Sequence, residues 1–127
     1  MPRPPTGRPT DLELEILKVL WEHGPSTVRA VWQHLAAERE IGQTTVLKIM
    51  QIMRDKDLLI CNVDQRPQVY RPRHPQKTTL KMLASDLLNR AFEGSVGLLL
   101  MHAVDSRKTS PEELEQIRRL LKQFDAD

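Results

Sequence analysis

Residues 41–73 read IGQTTVLKIMQIMRDKDLLICNVDQRPQVYRPR, and the fold turns on how this stretch is parsed. Over about 43–56 the apolar residues Val46, Ile49, Met50 and Met53 recur at helical spacing. At 100° per residue the opposite face carries Thr44, Lys48, Gln51 and Asp55, with Thr45 and Ile52 on one flank. The period then changes. Leu58 to Val63 forms an apolar run short enough for a strand, Asp64-Gln65-Arg66-Pro67 has the composition of a turn, and Gln68 to Arg73 is the return strand. Pro72 and Pro75 end the pairing because proline offers no amide hydrogen to a ladder. Arg66 stands at the tip of this hairpin, Arg71 and Arg73 on its return, and Tyr70 reads as a packing anchor hydrogen-bonded through its hydroxyl.

Two amphipathic helices precede this stretch. Thr10-Asp11-Leu12-Glu13 has the form of a capping box. The helix it opens presents Leu12, Ile16, Val19 and Leu20, widened by Leu17 and Trp21, and stops at Gly24-Pro25. Ser26 is expected to cap a second helix with the one-sided face Val28, Val31, Trp32, Leu35 and Ala36, and Ile41-Gly42 supplies the turn into the third. Three helices followed by a two-stranded ribbon make a winged helix-turn-helix, an arrangement that lays one helix in a DNA major groove with a basic hairpin beside it. The fold class is therefore mainly α. Residues 1–9 read as a loose tail, 10–75 as the winged-helix domain and 76–127 as a helical dimerisation domain.

That last region holds three further amphipathic segments. A helix over about 77–92 carries Leu80, Leu83, Leu87, Leu88, Ala91 and Phe92, and Gly94 interrupts it. The next carries Val96, Leu99, Leu100 and Ala103. Ser110-Pro111-Glu112-Glu113 opens the last, which carries Leu114, Ile117, Leu121 and Phe124. Stripes on such short helices bury most readily against a second copy of the chain, so Leu80, Leu83, Leu87, Leu88, Phe92, Leu99, Leu100, Leu114, Ile117, Leu121 and Phe124 are the expected dimer contacts.

Bulk properties restrict the options. The chain has 127 residues and a net charge of +2, but the charge is uneven: residues 43–77 hold seven basic groups against three acidic, whereas 78–127 hold seven against eight. Positive charge thus gathers where phosphates would be met. No run of 18 apolar residues exists, so no membrane insertion is expected. The N-terminus lacks the apolar middle of a secretion signal, and a single cysteine, Cys61, suits a reducing cytoplasm and a small packing role. There is no Gly-rich phosphate loop, no His-Glu-x-x-His pair and no nucleophile elbow. His23, His34, His74 and His102 lack ligand spacing. No catalytic residues, metal site or cofactor are expected.

Asp11 to Leu17 leading to Leu20-Trp21, Pro25-Ser26-Thr27-Val28-Arg29, Thr44-Thr45-Val46-Leu47, Val69-Tyr70-Arg71-Pro72, Phe92-Glu93-Gly94-Ser95 and the closing Ser-Pro-Glu-Glu-Leu helix together resemble the penicillinase repressor family (BlaI/MecI/CopY type), from about residue 9 to 124. The resemblance implies a bacterial transcriptional repressor, cytoplasmic and bound to the nucleoid. Its partners would be a double-stranded palindromic DNA operator and a second copy of itself. Gln43, Thr44, Thr45, Lys48 and Gln51 would face the groove, and Arg66, Arg71 and Arg73 the backbone. In antibiotic-responsive relatives, which control beta-lactamase genes, a sensor-linked protease cuts an Asn-Phe bond in the arm. His102-Ala103 stands at that position here. The copper-responsive branch carries a cysteine-rich C-terminal motif, whereas residues 105–127 contain no cysteine. Gln43 stands where an aromatic is frequent. Two other readings stay open: a winged helix used for protein–protein assembly, and a repressor gated by a small ligand between arm and reading head, near Leu98 to Met101.

Overall fold

The computed structural model describes residues 8–106 and 110–125. The expected tail lies outside them up to Gly7, and so does the side chain of Phe124. The chain forms two compact units, Met1–Leu83 and Ala84–Asp127. In order the elements are α1 (Asp11–His23), β1 (Ser26–Thr27), α2 (Val28–Ala36), α3 (Gln43–Asp55), β2 (Leu59–Asn62), β3 (Val69–Pro72), α4 (Gln76–Ala91), α5 (Val96–Ser106) and α6 (Pro111–Asp125). This is a winged helix-turn-helix followed by a helical C-terminal region.

Helix α1 starts with a complete capping box: the Glu13 amide donates to Thr10 Oγ1 at 3.2 Å, and the Thr10 amide donates to Glu13 Oε1 at 2.9 Å. It ends at Gly24, whose φ of 86° suits glycine. Ser26 does not cap α2 as expected. Thr27 does, its Oγ1 accepting from the Ala30 amide at 3.1 Å, while the Ser26 hydroxyl donates to the Gly24 carbonyl at 2.8 Å. The extended backbone that an N-cap requires (Thr27 φ −78°, ψ 162°) is also a strand conformation. Ser26 and Thr27 use it to pair antiparallel with Tyr70 and Val69. The hairpin therefore gains a short third strand, in the order β1-β3-β2. Ala36, expected on the buried stripe, is exposed, because α2 ends there and its apolar face closes at Leu35.

The turn into α3 is pinned from outside the helix-turn-helix backbone. The Trp32 indole donates to the Ile41 carbonyl at 2.7 Å, tying the middle of α2 to the residue before the Gly42 N-cap. At its other end α3 closes in a Schellman motif: the Leu58 amide reaches the Met53 carbonyl at 2.8 Å and the Asp57 amide reaches that of Arg54 at 3.1 Å. Asp57 takes the left-handed conformation this requires (φ 63°), and Met53 and Leu58 make the accompanying apolar contact inside the core. The chain is thereby turned into β2, which pairs with β3 from Leu59↔Pro72 to Asn62↔Val69.

The core of the first unit is Ile16, Leu17 and Leu20 of α1, Val31 and Leu35 of α2, Val46, Met50 and Met53 of α3, and Leu58, Leu59 and Tyr70 of the wing. Tyr70 is the expected anchor and has no exposed surface. Its hydroxyl does not make the expected hydrogen bond: it is buried without a partner, although the Cys61 thiol lies close enough to influence its titration. Burial first, and that thiol second, push the Tyr70 pKa above its ordinary value of 10. One ion pair enters this interior. Glu13 Oε1, already the acceptor of the capping box, also accepts from Lys56 Nζ at 2.7 Å, and the two side chains are only 6% and 15% exposed. A single carboxylate thus caps α1 and ties it to the end of α3.

In the second unit α6 is capped by Ser110, whose Oγ accepts from the Glu113 amide at 3.1 Å. Past the end of α4, Glu93 and Gly94 both take positive φ (51° and 78°), and the Gly94 amide bonds to the Leu88 carbonyl at 2.8 Å. Among the described residues none of α5 or α6 is buried.

Two stability outcomes follow from the core. The Tyr70→Phe variant should match or exceed the parent by up to about 1 kcal/mol in denaturant unfolding, because an unpartnered hydroxyl leaves the interior, whereas Tyr70→Ala should lose about 3–5 kcal/mol. A raised phenol pKa means the neutral form is favoured in the folded state. Its contribution is intact below pH 10 and lost as pH rises through the folded value, so the parent should weaken more than Tyr70→Phe above that pH. Lys56→Met should cost about 3 kcal/mol by stranding a buried carboxylate, while removing exposed Arg90, paired with Asp86 at 3.2 Å, should cost under about 1 kcal/mol. Equal losses at the two sites would refute the distinction.

Candidate nucleic-acid interface

The two faces of α3 separate cleanly. Val46, Met50 and Met53 are fully buried and Ile49 is partly so, whereas Gln43, Thr44, Thr45, Lys48, Gln51 and Asp55 are all exposed. Burial of one ridge leaves the helix no rotation that would hide the other. The exposed face therefore carries amide and hydroxyl groups that donate and accept, one ammonium, and at its C-terminal end the Asp55 carboxylate beside Arg54, a set suited to base edges and phosphates.

A groove of about 530 Å³ opens along one flank of this face. Gln43, Thr44 and Leu47 of α3 form one wall, Arg29 and Val28 at the start of α2 form another, and Pro67 and Gln68 of the wing close the third, with Thr27 and Tyr70 also lining it. Three elements are brought together here because β1 pulls the start of α2 onto β3. Arg29, Leu47 and Gln68 were not among the residues expected from the sequence. The signal for Arg29 in the sequence is its place in the first turn of α2, the helix that precedes α3.

The wing cations are arranged differently. Alternation along β3 sends Tyr70 into the core and Arg71 to the opposite face of the sheet, beside Ile60, Asn62, Gln65 and Val69 around a second hollow of about 330 Å³. Arg71 thus stands apart from the groove that holds Gln43 and Thr44. Arg66 is at the tip, as expected, but its Nη1 donates to the carbonyls of Val63 at 3.0 Å and Gln65 at 3.3 Å, bracing its own turn. Arg73 lies 4.0 Å from Asp57 and Arg54 lies 3.4 Å from Asp55, both at the surface. With Lys56 held by Glu13, only part of the positive balance of residues 43–77 faces solvent uncommitted. Among the described residues Arg29, Lys48 and Arg71 form no ion pair.

The residues expected at a dimer contact are distributed as follows. Leu80, Leu87 and Leu121 are exposed, and Leu83, Leu88, Phe92, Leu99, Leu100, Leu114 and Ile117 are partly buried. His102 and Ala103 lie within α5, where the His102 ring is 6.1 Å from that of Phe92. His23 and His34 stack at 4.0 Å on the ends of α1 and α2. Among the described residues no group of three or more His, Cys, Asp or Glu side chains is disposed to hold a metal ion, and no helix is long and apolar enough to cross a membrane.

The chain is similar in sequence to known transcriptional regulators. The chain is 32% identical over 118 residues to the transcriptional regulator BlaI of Mycobacterium tuberculosis, in both the CDC 1551 and H37Rv strains, covering 91% of this chain and 84% of the relative. It is 22% identical over 114 residues to the penicillinase repressor of Bacillus licheniformis, covering 90% and 89%. The family model described as penicillinase repressor matches residues 9–123, which is nearly the whole chain. The chain therefore belongs to the penicillinase repressor family of transcriptional regulators.

Proposed function

We propose that the protein represses transcription as a homodimer bound across a palindromic operator, where it excludes polymerase from the promoter. The observation that carries this reading is the exposed polar face of α3, Thr44, Lys48 and Gln51, backed by a ridge with no exposed surface. In this reading those three residues face the major groove, with Gln43 and Thr45 near the helix start. Arg29, Arg66, Arg71 and Arg73 hold the phosphate backbone and so set register rather than sequence. The family is one of repressors and not of enzymes, and no catalytic role is proposed for any residue.

Helices α4 to α6 supply the dimer contact in this reading. Among the described residues their apolar side chains are at best partly covered, with Leu87 at 47% and Leu121 at 45% exposed. Pairing with a second copy supplies the remaining cover. Two reading heads would then address half-sites about 34 Å apart, or a multiple of that spacing. Each head alone binds weakly. Joining them makes the second encounter intramolecular and raises affinity by ~10²–10⁴ with no new DNA contact. Induction follows from separating the protomers. The names of the relatives, BlaI and penicillinase repressor, favour beta-lactamase-type or related stress genes in the cytoplasm as targets. A sensor-linked protease acting in the arm is the corresponding release step. Because His102-Ala103 lies inside α5, such a protease would have to unwind that helix before cutting.

Two measurements test the reading. Replacing Leu83 and Leu87 with aspartate should give monomers by sedimentation and reduce operator affinity at least ~10²-fold, and nanomolar operator binding by such monomers would refute the linkage. Arg29→Ala and Arg71→Ala should each weaken binding to all duplexes alike and flatten the slope of log affinity against log salt by about one unit. A loss confined to one base position would instead make that arginine a reader of sequence.

A further inference from the structure

Among the described residues of α1, α2 and α3, Leu47 is the one large apolar side chain left exposed, at 38%. An isolated surface leucine requires no explanation by itself. Its seat does. Leu47 lies between Gln43 and Thr44 on one side and Gln51 on the other, because residues three and four apart share a helix face. It also lines the groove shared by α3, the start of α2 and the wing tip. It is not part of the core cluster or of the partly buried side chains packed against it, whereas Val46, Met50 and Met53 of the same helix are core residues without exposed surface. The helix therefore presents an apolar branch on the flank of its hydrogen-bonding ridge, between Gln43 and Gln51. In the major groove of duplex DNA the apolar group on a base edge is the C5 methyl of thymine.

We infer that Leu47 is a specificity-determining residue that reads one thymine methyl in each operator half-site. The inference rests on α3 being the DNA-reading helix. The neighbouring Thr44, Lys48 and Gln51 supply polar contacts, and Leu47 discriminates against cytosine, which lacks the methyl, by withholding any polar partner. Burying one methyl is worth about a fourfold gain in affinity per half-site, or about fifteenfold across a symmetric dimer.

The experiment starts from duplexes that the purified full-length protein selects from a random-sequence pool. Deoxyuridine is then substituted for thymidine one position at a time, removing the methyl and nothing else. For the parent protein, one symmetric position should cost about fourfold per half-site. Leu47→Ala should fold normally by thermal melting, bind the thymidine duplex more weakly by a similar factor, and be indifferent to deoxyuridine at that position. Leu47→Met, which keeps an apolar tip, should retain the penalty, and so should Thr44→Ser, which removes the competing γ-methyl. Should Leu47→Ala fail to fold, the parent, Leu47→Met and Thr44→Ser arms decide the matter. A parent protein blind to every deoxyuridine substitution would overturn the inference, as would a penalty undiminished in Leu47→Ala or abolished in Thr44→Ser, in each case with sequence-specific binding intact. Failure to enrich any sequence would overturn the DNA-reading assignment of α3 itself, and the role of Leu47 with it.

Discussion

The structure depends on one constraint: α3 must bury Val46, Met50 and Met53 completely, and a helix cannot bury one ridge without committing the opposite one to solvent. Three side chains without exposed surface fix the rotation of α3 about its axis. Thr44, Lys48 and Gln51 are then outward by geometry and need no interaction of their own to hold them there. Packing thus determines which residues are available to a partner, and their chemistry determines what kind of partner suits them.

Rotation alone does not aim a helix, and three local devices supply the rest. The Trp32–Ile41 hydrogen bond sets where α3 begins relative to α2. The Schellman motif at Asp57 sets where it ends and how the chain enters the wing. The Glu13–Lys56 pair ties that end back to α1. A partly desolvated ion pair is weak evidence for net stability, but breaking it strands a charge in the interior, and so it penalises any shift of α3 along α1. The carboxylate's second duty in the capping box means that local helix initiation and long-range positioning share one group.

Much of this was legible in the sequence, and the reasons differ by element. The 3.6-residue period of α1 and α3, the Thr10 box and the Gly24 stop are local signals, and the structure follows them within a residue at each end. The change to a strand period after Lys56 located the wing. The errors came where a tertiary contact competed with a local one. Ser26 carries the same capping chemistry as Thr27, and only the pairing of both residues with β3 selects Thr27. The charge tally over residues 43–77 could not reveal that Lys56 is consumed by a glutamate 43 positions away. Arg29 and Leu47 were overlooked because the groove they line exists only after β1 draws α2 against the wing. Leu47 was additionally hidden by its residue type, since a leucine in an amphipathic helix is first read as core.

The C-terminal helices present the complementary situation. Their stripes are plain in the sequence, yet no described residue of α5 or α6 is buried within one chain. The same amphipathic pattern that forms a core in the first unit leaves an uncovered apolar surface in the second, which the proposed function assigns to a second copy of the chain. In the proposed reading, regulation needs no movement within the first unit, because affinity would be governed by whether two copies are joined. The most direct test of this account is a heteronuclear NMR titration of the labelled protein with the duplex it selects. The account predicts that amide shifts concentrate in residues 43–52 and in the wing, while the buried methyls of Val46, Met50 and Met53 keep their environment. Shifts confined to α4–α6, or a reorganised set of core methyls, would contradict it.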